Sequence, residues 1–288
     1  MKKILALLLF PTLFVCLQSC QDVIDIDIPN GENRVIINGR VTDTLPVYVQ
    51  VLSTIGYLSD DPNPRMSDCI VKLYENGLEV ATLVENDTLP GWYEHPFTGT
   101  EGNTYYIEVS FPEGHPYFPN TRWMSGSEQM YRVPAEDSTY SKFQPKQPFI
   151  DEGYYAFIMF TEPAGLGDNY RQRLWKNDSL YDTQFDLAFF NDEFIDGRSF
   201  NDKDLPAVQI SGASKVGDVY KSELSSISLE AYNFLFLLQQ QTVQVGSTFD
   251  PPPAPIYGNI ANADNPAQLG LGYFFASKLT YTTVTIVE

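Results

Sequence analysis

The chain has 288 residues, 43% hydrophobic and 14% aromatic, enough to bury a substantial core and long enough for two domains of ordinary size. Against 18 Lys and Arg stand 37 Asp and Glu, a net charge of −19, which leaves no basic patch for nucleic acid or for direct adhesion to anionic lipid. Cys16, Cys20 and Cys69 are too few for a disulfide framework.

Lys2 and Lys3 precede an apolar run from Ile4 to Leu17, and Leu17-Gln18-Ser19 leads into Cys20. A positive start, a short apolar stretch and a small residue before the cut describe a secretory signal peptide. A cysteine directly after the cut makes it a bacterial lipobox. Residues 1–19 are therefore expected to leave as a signal, with Cys20 lipidated at the new N-terminus and inserted in the outer membrane. Loss of Lys2 and Lys3 leaves 16 basic residues against 37 acidic ones, a net of −21. Cys69 then has no thiol to pair with and reads as a small core residue.

Residues 20–33 form a tether in which Asp22, Asp25 and Asp27 alternate with Ile and Val, an extended segment with one acidic face. From 34 to 130 the pattern is that of an antiparallel β-sandwich. Val35–Val41, Val47–Leu52, Ile70–Tyr74, Glu79–Val84, Trp92-Tyr93 and Tyr105–Val109 read as strands, and Asn76-Gly77 is a strong hairpin signal. The opening strand with Gly39, then Gly91 with Tyr93 and Gly102 with Tyr105, resembles carboxypeptidase-regulatory-like sandwiches of the transthyretin type. Those residues shape turns and carry no chemistry.

The Pro-containing stretch between Met130 and Pro148 marks the boundary of a second, β-rich domain over 131–288. Its strands are expected at Tyr154–Phe160, Tyr170–Trp175, Phe185–Phe190 and Ala207–Ile210. Ser228 is placed to cap one helix running from Leu229 to about Gln241, with Glu230 in its first turn. Apolar residues occupy most of its circumference, so a buried helix covered by a sheet is expected. The fold class is thus mainly β: a sandwich followed by a second β-rich domain with one buried helix.

Sites are harder to find. His95 and His115 each precede a proline and read as surface turn residues, and no zinc spacing, nucleophile elbow or phosphate loop occurs. No cofactor is implied. The acidic tract Asp186, Asp192, Glu193, Asp196, Asp202 and Asp204 offers the best candidate, with Asp192, Glu193 and Asp196 as ligand- or calcium-binding carboxylates. Its spacing does not fit the EF-hand, and solvated hairpin acids are the simpler reading. Trp92-Tyr93, Trp123 and Trp175 could stack on sugars or anchor a protein, but core or edge packing is the simpler reading for them.

The segment Ser226–Tyr273 is the most distinctive. It contains Ser-Ile-Ser-Leu-Glu-Ala-Tyr-Asn-Phe-Leu, then Phe249-Asp250-Pro251-Pro252-Pro253-Ala254-Pro255-Ile256-Tyr257-Gly258-Asn259-Ile260, then Leu271-Gly272-Tyr273-Phe274. With the lipobox, the sandwich and the Asp192–Gly197 turn, it resembles a Bacteroidota lipoprotein family known as domain of unknown function 4249. That resemblance implies an envelope lipoprotein, commonly encoded near TonB-dependent outer-membrane receptors, and brings no catalytic residues. Pro251–Pro255 favours a stiff polyproline-II-like segment, and Gly258 permits a turn that other residues resist. The expected function is a non-enzymatic accessory or ligand-binding lipoprotein of a TonB-dependent uptake system. A surface adhesion protein and a carboxylate-based hydrolase follow it in that order.

Overall fold

The computed structural model describes residues 31–56, 59–181, 187–243 and 255–288. The signal segment, Cys20, the acidic alternation of the tether, Asp186 and Pro251–Ala254 lie outside the described residues. Asn33–Ile55 and Asp60–Glu288 form one compact unit.

Alternation builds the first sheet. In β1 (Val35–Thr42) and β2 (Val47–Ser53), Val35, Ile37 and Val41 point inward beside Val47, Val49 and Val51, and all six are excluded from solvent. β3 (Ile70–Glu75) turns into β4 (Leu78–Glu85) through Asn76 and Gly77, both at positive φ (50° and 83°), the backbone that a two-residue hairpin needs. β5 (Trp92–His95), β6 (Thr104–Ser110), β7 (Arg122–Ser125) and β8 (Glu128–Gln129) follow. Tyr93 and Tyr105 are buried, and the Tyr93 hydroxyl donates to the Met66 carbonyl (2.9 Å) while accepting from the Cys69 amide (3.0 Å). The Cys69 thiol is half-buried and pushed up to about 12, chiefly by desolvation, which keeps it unreactive.

The stretch between Met130 and Pro148 is more than a connection. It contains β9 (Glu136–Gln144), which pairs antiparallel along most of β10 (Gly153–Thr161). Its sequence lacks an apolar run because it is an edge strand with many exposed positions, so it gave no periodic signal. β11 (Asn169–Lys176), β12 (Ser179–Leu180), β13 (Ala188–Asn191), β14 (Ser199–Phe200), β15 (Val208–Gln209) and β16 (Val219–Ile227) precede the helix. After it come β17 (Ile260–Asn262), β18 (Phe274–Ser277) and β19 (Leu279–Thr285).

Among the described residues three sheets result. The largest runs β17-β7-β6-β3-β4-β5-β2-β1-β18, with β8 on β6. Its two outermost strands come from the far end of the chain: β17 lies antiparallel to β7, and β18 lies parallel to β1 with Phe274 opposite Gly39. The strands expected over 34–130 are thus completed by two from beyond residue 131. The second sheet is β14-β10-β15 with β9 on β10, and the third is β12-β11-β16-β19 with β13 on β11. Ala156 and Ile158 of β10 pack against Tyr220 and Val284 of the third sheet. The chain is mainly β and sandwich-like, as its patterning requires.

The helix α1 (Leu229–Thr242) starts where Ser228 accepts the Ala231 amide at 3.0 Å. It buries one stripe, Ala231 and Leu235, beside Ile227 and Tyr273. Leu229, Phe236 and Leu237 are exposed, so the sheet covers one side of the helix and not its whole apolar circumference. No described helix is long and apolar enough to cross a membrane.

Two further readings change. His115 is buried, edge-on to Phe111 (4.7 Å between ring centroids), with its Nδ1 accepting the Phe118 amide (3.1 Å). Burial holds its pKa below the ordinary histidine value. Gly258 is required by close approach rather than by positive φ: a Cβ there would sit 1.7 Å from the Gly272 carbonyl oxygen.

Candidate functional site

The acidic turn folds against a glycine-rich one. β10 ends at Thr161, and Glu162 to Asp168 lead into β11; β13 ends at Asn191, and Asp192 to Gly197 lead towards β14. Antiparallel pairing sets Asn169 opposite Asn191, so the two turns lie side by side. Gly165, Gly167 and Gly197 all take positive φ, leaving several amides pointing away from any strand ladder.

Carboxylates collect those amides. Asp192 Oδ2 accepts from Gly167 (2.8 Å) and Asp168 (3.0 Å), Asp196 Oδ1 accepts from Gly165 (2.6 Å), and Glu162 Oε2 accepts from Gly197 (2.7 Å). The Tyr170 hydroxyl donates to Glu162 Oε1 at 3.0 Å. Arg132 closes the other side: its Nε donates to Asp168 Oδ2 (2.9 Å), and its Nη2 reaches the carbonyls of Pro163, Ala164 and Gly165. Three buried carboxylates with one guanidinium leave excess negative charge. Glu162 is accordingly pushed above the usual carboxylate value, first by desolvation and further by Asp168 and Asp192.

Oxygens of Glu162, Asp168 and Asp192 lie within 4.8 Å of one another, close enough to suggest a cation. Calcium, however, takes about 6–8 oxygen ligands. Each of the three carboxylates already has an oxygen held by an amide, a hydroxyl or a guanidinium, and Arg132 supplies a positive charge beside them. This chemistry is that of a clasp holding two turns in register. Of the residues singled out in the sequence, Asp192 is buried within the clasp and Asp196 binds its rim. Glu193 is exposed, and its amide contacts Asn191 Oδ1 at 3.4 Å.

The clasp fixes the loop that walls a cavity. Phe194 and Ile195, between Asp192 and Asp196, line a space of about 420 Å³. Phe160 and Phe200 supply one wall with ring centroids 4.8 Å apart, and Phe189 meets Tyr232 of α1 edge-on at 5.2 Å. Ile158, Val208 and Leu224 add aliphatic surface, while Gln172, Asn191 and the Tyr232 hydroxyl are the polar side-chain groups available. Among the described residues, no side chain of formal charge lines it, in a chain of net −19. The volume falls within the roughly 300–1,000 Å³ of small-molecule sites. Phe194 is 85% exposed and stands at the rim. Sequence reading missed this cavity because its walls come from both smaller sheets and the helix; the aromatic run Phe189-Phe190 and Phe194 around the acidic tract was the signal present.

Residues 21–283 match the model of the family described as Domain of unknown function (DUF4249). The chain belongs to this family. The match begins one residue after Cys20 and takes in both turns of the clasp, the cavity and the strands that return to the first sheet. The aromatic cavity of this DUF4249 member is therefore part of the family domain itself. No curated protein matches the chain.

Proposed function

We propose that this DUF4249 protein is a non-enzymatic lipoprotein, anchored to the outer membrane through Cys20, that binds a small uncharged ligand and serves a TonB-dependent uptake system. The observation that carries the reading is the aromatic-walled cavity beside the acidic clasp, lined among the described residues by no charged side chain. Burial of apolar ligand surface against the rings supplies affinity, at about 25 cal/mol per Å² removed from water. Gln172, Asn191 and Tyr232 supply orientation. The lipobox from Leu17 to Cys20 supports the anchor, and the surplus of acidic residues suits a protein kept soluble beside a crowded surface.

Affinity purification of the tagged protein from native outer membranes should recover a TonB-dependent receptor, and a Cys20→Ala variant should lose incorporated palmitate. Repeated recovery of the lipoprotein alone would count against the uptake role. Unchanged palmitate labelling in the variant would remove the anchor.

A further inference from the structure

The rings around the aromatic cavity are set at contrasting angles. Phe160 of β10 and Phe200 of β14 lie nearly parallel, 22° apart, whereas Phe189 of β13 and Tyr232 of α1 meet at 81°. Phe190, next along β13, packs on Tyr170 at 5.3 Å, and the Tyr170 hydroxyl is held by Glu162 of the clasp. The clasp therefore steadies a ring of the wall as well as the loop that carries Phe194 and Ile195. Of the twelve described residues that line the cavity, six are aromatic. Ring faces are negative and ring edges positive, so aromatic pairs gain energy beyond the area they bury. A wall of rings at such different angles can meet a guest ring with both faces and edges. A saturated guest has no complementary quadrupole.

Polar groups in the cavity are few, and most are already engaged. Gln172 Nε2 donates to Ser222 Oγ at 3.0 Å, and Asn191 Oδ1 faces the Glu193 amide at 3.4 Å. The Tyr232 hydroxyl has no hydrogen-bond partner among the described residues. A sugar, with a hydroxyl on nearly every carbon, would leave most of them unpaired here, and each one buried without a partner weakens binding. A guest with a single polar group avoids that cost. Size sets the other limit: about 420 Å³ is well above the roughly 150 Å³ of a cavity that holds one benzene ring.

We propose that the ligand of this cavity is a flat, uncharged aromatic molecule of about two or three fused rings bearing one hydroxyl or N–H group. Its rings lie against Phe160, Phe189 and Phe200, and its polar group bonds the Tyr232 hydroxyl. The assignment rests on the reading of the cavity as a small-ligand site and narrows the class of that ligand.

Calorimetric titration of the purified full-length protein at neutral pH with 2-naphthol, naphthalene and decahydro-2-naphthol tests it. The two alcohols share a skeleton and a hydroxyl, but the saturated one has more apolar surface, so area burial alone favours it. Ring pairing should reverse that order, with 2-naphthol bound at least about threefold more tightly. Phe200→Leu should shrink this margin. The ratio of 2-naphthol to naphthalene affinity should fall about three- to tenfold in Tyr232→Phe, which keeps the ring against Phe189. Naphthalene binding should be unchanged in that variant, which also shows that it is folded. Decahydro-2-naphthol binding as tightly as 2-naphthol overturns the aromatic class and leaves the small-ligand reading standing. No binding of any of the three compounds overturns both. An unchanged naphthol-to-naphthalene ratio in Tyr232→Phe overturns the assigned orientation.

Discussion

The sandwich and the region built on the second and third sheets solve the same packing problem differently. Among the described residues, one continuous cluster of 22 buried hydrophobic residues fills the sandwich, while the other region divides its apolar core into clusters of six and four. The difference is made up by buried polar groups: Glu162, Asp168, Asp192, Glu223 and a row of serines on β16. Apolar packing approaches the density of organic crystals and leaves few voids. Hydrogen-bonded turns and ion pairs fix geometry without filling space, and the aromatic cavity lies between the two polar-rich sheets. The more loosely filled region is the one with room for ligands.

The largest expected effect lies in the sandwich. Leu73→Ala empties a site at 0% exposure and should cost about 2–5 kcal/mol in urea denaturation; a loss below ~1 kcal/mol would show that the sandwich core is no tighter than its neighbour. Asp192→Ala comes next. It strips the acceptor from the Gly167 and Asp168 amides and should cost about 1–3 kcal/mol, whereas Asp192→Asn, which keeps an acceptor oxygen, should cost less. If the two substitutions were equal, negative charge and not amide capture would be the clasp's contribution.

Acid should separate the regions further. Burial works to raise the Glu223 pKa, but the bonds from Arg40 and Tyr281 prevail and hold it below the ordinary value of 4.5. Its contribution is thus present above 4.5 and is lost as pH falls through the lowered value. Glu162 has the opposite sign: raised, it contributes most below 4.5 and loses that contribution as pH rises through its folded value. Stability measured from pH 7 downward should therefore lose its Glu223-dependent drop below pH 4.5 in Glu223→Gln; a drop as steep as in the wild-type chain would remove the Arg40–Glu223 pair from the account. The smallest effect is expected at the cavity rim. Phe194→Ala should change stability by no more than ~0.5 kcal/mol, because the ring is already in water. A larger loss would make Phe194 a packing residue rather than part of a ligand entrance.

Much of the first region was legible in local pattern. Val47–Leu52 and Tyr105–Val109 alternate because one face meets the core, and Asn76-Gly77 dictates its own turn. The second region was read less completely. β9 carries mostly polar residues and becomes a strand only through its pairing with β10, and the exposure of Leu229 and Phe236 on α1 depends on which side the sheet covers. The acidic tract was conspicuous in the sequence, yet the partners that turn it into a clasp, Glu162, Arg132 and Gly167, are spread over a different stretch of chain.

By itself the sequence determined periodicity, turns, the Ser228 cap and the family, because each depends on neighbours a few residues apart or on composition. The tertiary structure alone decided that β17 and β18 return to the first sheet, that Asp192 captures amides, and that aromatic rings from both smaller sheets and the helix gather around one cavity. Those outcomes rest on pairings between residues far apart in the chain, such as Gly39 with Phe274 and Arg40 with Glu223. No local rule encodes such partners; long-range register and burial select them.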